Sequence, residues 1–188
     1  SSELWSAAFS ADGSRLATSA EDGAVQIYDT SSWAPIGDPL DTNVDTLSVA
    51  FTLDGSTLLA GTGDGRLFSW DVASREEIRR PQRVHGTNDV WEIVLNPDGK
   101  RVATGGSDGS VGVLSLDTGA LIASPFSLAA RTEGGVTGLA WSSDGRVLYA
   151  GGRDGRVHSW DLARGREGEV STIGHDDAVQ DASISRDG

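Results

Sequence analysis

Residues 90–114 read VWEIVLNPDGKRVATGGSDGSVGVL, and this stretch decides the fold. Asp98-Gly99 and Asp108-Gly109 separate three short runs that are rich in Val, Leu, Ile and small residues. An Asp-Gly pair between two such runs is a strong hairpin signal, because Gly adopts a positive φ without steric cost. The stretch therefore predicts three consecutive antiparallel strands joined by tight turns.

The same arrangement recurs along the whole chain. A first set of Asp-Gly pairs lies 42–46 residues apart, at 12–13, 54–55, 98–99, 144–145 and 187–188. A second set follows ten residues later, at 22–23, 64–65, 108–109 and 154–155. A regular period of this length indicates one supersecondary unit repeated along the chain.

Four runs of strand-forming residues are predicted in each unit. The first runs are 4–9, 47–51, 90–95, 136–141 and 179–184, and the second runs are 15–20, 57–61, 101–105 and 146–151. The third runs are 24–28, 66–70, 110–114 and 156–160. Weaker and more polar fourth runs, typical of outer edge strands, are 34–39, 76–80, 120–125 and 169–173.

Repeated sheets of four antiparallel strands, without any helical period, predict an all-β fold of the β-propeller type. Each unit would be one blade, because a single four-stranded sheet buries its faces only against its neighbours. The expected boundaries give four blades and one extra strand, at 1–40, 41–84, 85–130, 131–173 and the start of a further blade at 174–188. We expect the remaining blades to come from the same parent chain or from another chain.

The residues that end the third runs resemble those of the WD-repeat family. Trp70-Asp71 and Trp160-Asp161 match its Trp-Asp pair, with both Trp side chains expected in blade cores, and Tyr28-Asp29 is a near match. Gly174-His175 matches the pair that opens a repeat in the family. The turns at 9–13 and 95–99 are similar to the family's Phe-Ser-Pro-Asp-Gly, whereas Leu114-Ser115 departs from the Trp-Asp pattern.

The resemblance implies a structural role for the acidic residue of each second turn, namely Asp22, Asp64, Asp108 and Asp154. In the family this carboxylate bonds to a His, a Ser or Thr, and the Trp of its repeat. Here the unit of Asp108 has His85 but no Trp, and the unit of Asp154 has Trp160 but no such His. We therefore expect the tight turn itself, more than this hydrogen-bond network, to fix the conformation of each blade.

Composition limits the classes of partner and compartment. The net charge of -13 argues against binding to a nucleic-acid backbone or to an anionic membrane. There is no Cys, which excludes disulfides and thiolate metal sites, and no signal peptide is visible, so a cytoplasmic location is expected. The Arg-rich balance, in which Lys100 is the only Lys, suggests a bacterial source.

No catalytic, metal-binding or cofactor-binding pattern emerges. The three His residues lie far apart in different units and lack metal-ligand spacing, and His158 is expected to be a packing or surface residue. The Gly-rich stretch 61–65 lies between two strands and not before a helix, which favours a turn over a phosphate site. The sequence thus predicts no enzyme and no cofactor.

Partner binding has better candidates. In the family, partners often dock where the first strands begin and where the second strands turn into the third. On this chain those positions include Glu3, Trp5, Glu21, Asp45, Asp89, Trp91, Arg153 and Gln180. Trp5 and Trp91 are either interface hot spots or side chains packed between blades.

Taken together, these features predict a non-catalytic protein-interaction scaffold or sensor module within a multidomain bacterial signalling protein. The alternative is an enzymatic propeller with its site at the central channel, which would gather ionisable side chains from several blades.

Overall fold

The computed structural model describes residues 2–127, 135–164, 166–167 and 179, and the chain divides into two compact units, Ser1–Ile93 and Val94–Gly188. The described residues form strands and turns, without any helix. Within these described residues, sixteen strands build four four-stranded antiparallel sheets. The predicted all-β class with four-stranded antiparallel blades is therefore confirmed.

Each sheet contains four strands that are consecutive in the sequence and hydrogen-bonded in sequence order. The first sheet comprises β1 (Leu4–Phe9), β2 (Arg15–Ala20), β3 (Ala24–Asp29) and β4 (Leu40–Asp41). The second comprises β5 (Thr46–Phe51), β6 (Thr57–Thr62), β7 (Arg66–Asp71) and β8 (Gln82–Arg83). The third comprises β9 (Val90–Leu95), β10 (Arg101–Gly106), β11 (Ser110–Ser115) and β12 (Leu121–Ser127), and the fourth β13 (Val136–Trp141), β14 (Val147–Gly152), β15 (Val157–Asp161) and β16 (Arg166–Glu167).

The inner three strands of each sheet lie within one residue of the predicted runs, but the fourth strands β4, β8 and β16 lie outside theirs. The predicted runs 34–39 and 76–80 form only single bridges, Tyr28 with Pro35 and Trp70 with Glu77. The chain then runs on before it pairs again as β4 and β8, near the start of the third strand. The predicted runs 169–173 and 179–184 lie outside the described residues, apart from Val179.

The apolar core of the first unit fills the space between its first two sheets. It includes Val25 and Ile27 of β3, Leu58 of β6, and Phe68 and Trp70 of β7, all buried. The second unit has a corresponding core around Val113, Trp141 and Leu148. Trp70 lies in the core as expected, and Trp160 is partly exposed with its indole nitrogen buried.

Successive sheets approach each other most closely at a glycine in the second strand. A Cβ atom on Gly61 would lie 2.6 Å from Cγ1 of Val90, at the start of the next first strand. The same relation recurs in the second unit between Gly105 and Val136, at 2.7 Å. Since side chains do not pack at such distances, glycine is required wherever a valine of the next repeat covers the second strand.

Candidate docking cavity

A cavity of about 700 Å³ lies in the first unit, and three successive repeats contribute to it. Its walls are formed by Trp5, Asn43, Val44, Asp45, Leu47, Gly63, Asp64, Asp89 and Trp91. These residues belong to the beginnings of β1, β5 and β9, to the loops that lead into β5 and β9, and to the turn between β6 and β7. The size is that of a typical ligand pocket.

β-Bulges explain how the first strands supply side chains to this cavity. Between β1 and β2 the register shifts from Leu4↔Ala20 to Ser6↔Ser19, so that Trp5 has no partner in the ladder. Between β5 and β6 the same shift leaves out Leu47. A bulge turns the extra residue out of the normal alternation of a strand. Trp91 is likewise the second residue of its strand, and all three side chains line the cavity.

The second Asp-Gly turns hold the loops that carry the other wall residues. Gly23 has a φ of +87°, and a Cβ there would lie 2.8 Å from the backbone oxygen of Val44. Gly65 has a φ of +83°, and a Cβ there would lie 2.6 Å from the backbone oxygen of Gly86. Each turn therefore packs directly against the backbone of the loop that leads into the next repeat, as only glycine allows.

Buried hydroxyl groups fix the loop between β4 and β5. The Thr42 and Thr46 hydroxyls lie 2.8 Å apart, and Thr42 also donates to the backbone oxygen of Val44 at 2.6 Å. Asn43 adopts a φ of +59°, and its backbone N–H donates to Asp41 at 2.7 Å. Hydrogen bonds therefore hold in place the part of the cavity rim that Asn43 and Val44 form.

Three carboxylates lie on the cavity wall, and their environments differ. Burial raises the pKa of Asp64, but a hydrogen bond from Thr62 at 2.7 Å and the Arg66 guanidinium at 2.7 Å outweigh it, so the pKa lies below its ordinary value. Asp89 accepts a hydrogen bond from the indole nitrogen of Trp91 at 3.1 Å. No Lys or Arg in the described part of the chain forms an ion pair with the exposed Asp45.

The two tryptophans remain accessible. Trp5 is 50% exposed, and Trp91 is half-buried with its indole nitrogen bonded to Asp89. Of the two alternatives drawn from the sequence, full burial between blades therefore does not apply to either residue. Trp33, which is 63% exposed in the turn after β3, lies outside the cavity walls.

The structure brings together only some of the candidate partner-binding residues. Trp5, Asp45, Asp89 and Trp91 share the cavity. Glu3 and Glu21 are exposed neighbours, joined by a hydrogen bond from the Glu21 N–H to the Glu3 carbonyl at 2.9 Å, but they do not line it. Arg153 is exposed in the second unit, and Gln180 lies outside the described residues.

The acidic residues of the second turns organise backbone and hydroxyl groups. Asp22 accepts from the Ala24 N–H at 3.1 Å, and a hydrogen bond from the Ser2 hydroxyl is the main cause that lowers the pKa of Asp22. Asp108 accepts from the N–H and the hydroxyl of Ser110 at 2.9 and 2.7 Å.

Asp154 has a partner that sequence reasoning missed. Its carboxylate lies 2.9 Å from Nε2 of His158, which is buried on β15. The family pattern places the His in the loop before the first strand, and that position has no His in this unit. An imidazole four residues after the Asp provides the contact here, which the family pattern does not predict. The i, i+4 spacing across the turn was the available signal.

The described residues add two negative findings. None of them belongs to a helix with the length and apolarity that a membrane crossing requires. Among residues 2–127, 135–164, 166–167 and 179, no three potential metal-ligating side chains cluster together.

Comparison with protein families identifies the repeat. The family model described as "WD domain, G-beta repeat" matches residues 1–29, 78–113 and 125–161, more than half of the chain. A solved structure described as the crystal structure of a mitotic checkpoint complex contains a chain that superimposes with a TM-score of 0.80 over 96% of this chain, at 24% identity. This similarity shows the fold, that of a WD-repeat β-propeller.

Similar curated proteins come from an amoeba and two yeasts. Protein HIRA of Dictyostelium discoideum is 33% identical over 104 residues, covering 46% of this chain and 9% of the relative. Protein HIR1 of Kluyveromyces lactis is 29% identical over 125 residues, covering 52% and 14%. COMPASS component SWD1 of Saccharomyces cerevisiae is 32% identical over 72 residues, covering 38% and 17%.

The matches cover small parts of these proteins. The aligned regions span less than a fifth of each curated relative and 53% of the checkpoint-complex chain. All three curated relatives are eukaryotic, so they lend no support to the bacterial source that the Arg-rich composition suggested.

Proposed function

Because this chain belongs to the WD-repeat family, we propose that it is a non-catalytic scaffold module that docks a protein partner at the cavity of its first unit. One observation carries the proposal: residues from three successive repeats, among them two accessible tryptophans, converge on a single cavity. Tryptophans in well-packed pockets are enriched among interface hot spots.

The names of similar proteins support the same class of function. One relative is named as a component of COMPASS, and the superimposable chain belongs to a structure described as a checkpoint complex. Both are therefore parts of protein assemblies. A module that binds a partner through a surface cavity would likewise act as part of a protein assembly.

The chemistry of the cavity favours binding over catalysis. The pKa of Asp64 is lowered, and its carboxylate is paired with Arg66. Such a group carries a fixed negative charge and is poorly suited to donate a proton. The cavity walls contain no His, Ser or Lys side chain. An enzymatic propeller remains the second candidate function, and turnover that depends on the carboxylates of this cavity would favour it.

The proposal also covers the setting of the module. A net charge of -13 disfavours contact with nucleic-acid backbones and anionic membranes. We place the module in the cytoplasm, in a multidomain signalling protein, on the basis of the sequence features alone. Partner docking at the cavity does not depend on that placement.

Affinity purification of the full-length protein tests the proposal. We expect Trp5→Ala combined with Trp91→Ala to reduce recovery of its specific partners at least tenfold, as measured by quantitative mass spectrometry. Trp33→Ala removes an exposed tryptophan outside the cavity and serves as the matched control. Equal recovery of every partner by the double variant and the control would show that docking occurs elsewhere.

A further inference from the structure

The geometry points to Arg83 as the residue that positions the cavity wall bearing Asp89 and Trp91, because it clamps the loop of residues 84–89 to the turn between β6 and β7. Arg83 does not line the cavity, so it acts through the residues that it holds. This inference rests on the proposed docking function and adds a positioning residue to that site.

The loop of residues 84–89 leads from β8 into β9 and forms one side of the cavity. Asp89 is its last residue, and Trp91 follows as the second residue of β9. The turn between β6 and β7 lies beside it, since a Cβ atom on Gly63 would be 3.9 Å from Oδ1 of Asp89. The separation of loop and turn therefore sets the shape of this side of the cavity.

One guanidinium group bridges the turn and the loop. Arg83 lies on β8, and its Nη1 donates to the backbone oxygen of Asp64 in the turn at 2.8 Å. The same nitrogen donates to the backbone oxygen of Gly86 in the loop. Hydrogen bonds from a charged donor are about twice as strong as those between neutral groups. Arg83 thus ties two segments of the cavity wall to each other.

The turn is a fixed anchor for this clamp. The carboxylate of Asp64 accepts from the Thr62 hydroxyl at 2.7 Å and pairs with the Arg66 guanidinium at 2.7 Å. Arg66 stands opposite Arg83 in the ladder between β7 and β8. Because the turn is held by its own side chains, loss of Arg83 would release the loop and leave the turn in place.

Gly86 is the point at which the clamp acts on the loop. The loop begins with two backbone ties, from the N–H groups of Val84 and His85 to the Gly65 oxygen at 2.8 and 3.3 Å. The chain then passes through Gly86, which has a left-handed φ of +60°. Arg83 extends the ties to this residue, from which the chain continues to Asp89. A wall that is ordered before the partner arrives lowers the entropic cost of docking.

The equivalent loop of the first repeat is held in another way. Asp41 takes the place of Arg83 in the ladder between the third and fourth strands. Buried hydroxyl groups of Thr42 and Thr46, 2.8 Å apart, fix that loop from within. The second loop is clamped by an exposed side chain, which can be replaced without opening the core.

Hydrogen–deuterium exchange of the full-length protein tests the clamp and needs no partner. We expect Arg83→Gln to speed exchange of the amides of residues 84–91 roughly tenfold, as loss of a hydrogen bond from a charged group would, with unchanged exchange in β5 and β6. Arg83→Lys keeps a charged donor and should stay within about threefold of the wild type. Equal exchange of residues 84–91 in Arg83→Gln and the wild type would overturn the inference.

Partner recovery from the full-length protein tests whether the clamp serves docking. Arg83→Gln should lower recovery of the partners that depend on Trp5 and Trp91 about fivefold, and Arg83→Lys should largely restore it. Arg75→Gln is the matched control, because Arg75 also donates to a backbone oxygen, that of Ile36, outside the cavity. It removes the same charge and should change recovery less than about twofold. Equal losses in the two Gln variants would contradict the inference.

The outcomes separate this inference from the proposed docking function. If the Trp5 and Trp91 double variant loses its partners while Arg83→Gln retains them as the wild type does, the positioning role fails and the docking function stands. If the double variant keeps every partner, the docking function fails, and the exchange of residues 84–91 alone decides whether Arg83 holds the loop.

Discussion

Gly23 and Gly13 offer a matched pair of turn glycines in the same sheet, and the fold makes different demands on them. Both have a positive φ, +87° for Gly23 and +71° for Gly13. A Cβ atom on Gly13 would meet nothing within 4 Å, whereas on Gly23 it would lie 2.8 Å from the backbone oxygen of Val44 and 3.0 Å from its nitrogen. Gly13→Ala therefore isolates the backbone strain, and Gly23→Ala adds a collision with backbone atoms.

The expected losses in the free energy of unfolding follow from these two terms. Left-handed backbone costs a non-glycine residue about 1–2 kcal/mol. Overpacking adds about 1–3 kcal/mol where the neighbouring atoms cannot move freely. Gly23→Ala should therefore destabilise the full-length protein by about 1–3 kcal/mol more than Gly13→Ala does.

Urea unfolding, monitored by tryptophan fluorescence, measures the free energy of unfolding of each variant and hence this difference. Gly23→Ala should also weaken partner docking, because the collision moves the loop that carries Val44 and Asp45, whereas Gly13→Ala should not. Losses equal within about 0.5 kcal/mol would refute the claim that the second turns hold the loops of the next repeat.

Three further outcomes follow from other contacts. The hydrogen bond from the Ser10 hydroxyl and further hydrogen bonds lower the pKa of Asp12 from 3.8 to about 2. This carboxylate therefore contributes stability above pH 3.8 that is lost as the pH falls toward 2. Asp12→Asn should flatten the acid side of the curve of unfolding free energy against pH. His158→Phe and Asp154→Asn should each cost about 1–3 kcal/mol in thermal or urea unfolding, and a double-mutant cycle should show positive coupling between the two groups, whereas additive losses would count against the contact. Gly61→Ala should cost about 1–3 kcal/mol in the same assay, whereas Gly63→Ala, where the nearest atom lies 3.6 Å away, should cost less, and the reverse order would contradict the close approach of the sheets.

Local signals explain why the inner strands could be predicted. The Asp-Gly turns fix both ends of each hairpin, and β1, β2, β9 and β13 begin and end where the sequence predicts. The fourth strands carry no such signal. β4 and β8 are two residues long, and their position depends on where the loop returns to the third strand, which local sequence does not specify.

Repeat equivalence explains which cavity residues could be found in advance. Trp5 and Trp91 hold the same place in different repeats, as do Asp45 and Asp89, so their convergence follows from the propeller topology. Asn43 was missed because its place on the rim depends on its left-handed backbone.

The contact between Asp154 and His158 shows a second limit. A search guided by the family pattern looks for the His before the first strand, while here the third strand supplies it. The hydrogen bond depends on burial and on the side-chain direction after the turn, and neither is visible in a motif.

Site-specific photo-crosslinking tests the central claim most directly. A benzoylphenylalanine in place of Val44, on the cavity wall, should crosslink the partner in the full-length protein, with the crosslinked protein identified by mass spectrometry. The same photoreactive residue in place of Trp33, outside the cavity, should give no crosslink to that partner. Crosslinks to the partner from position 33 alone would contradict the account.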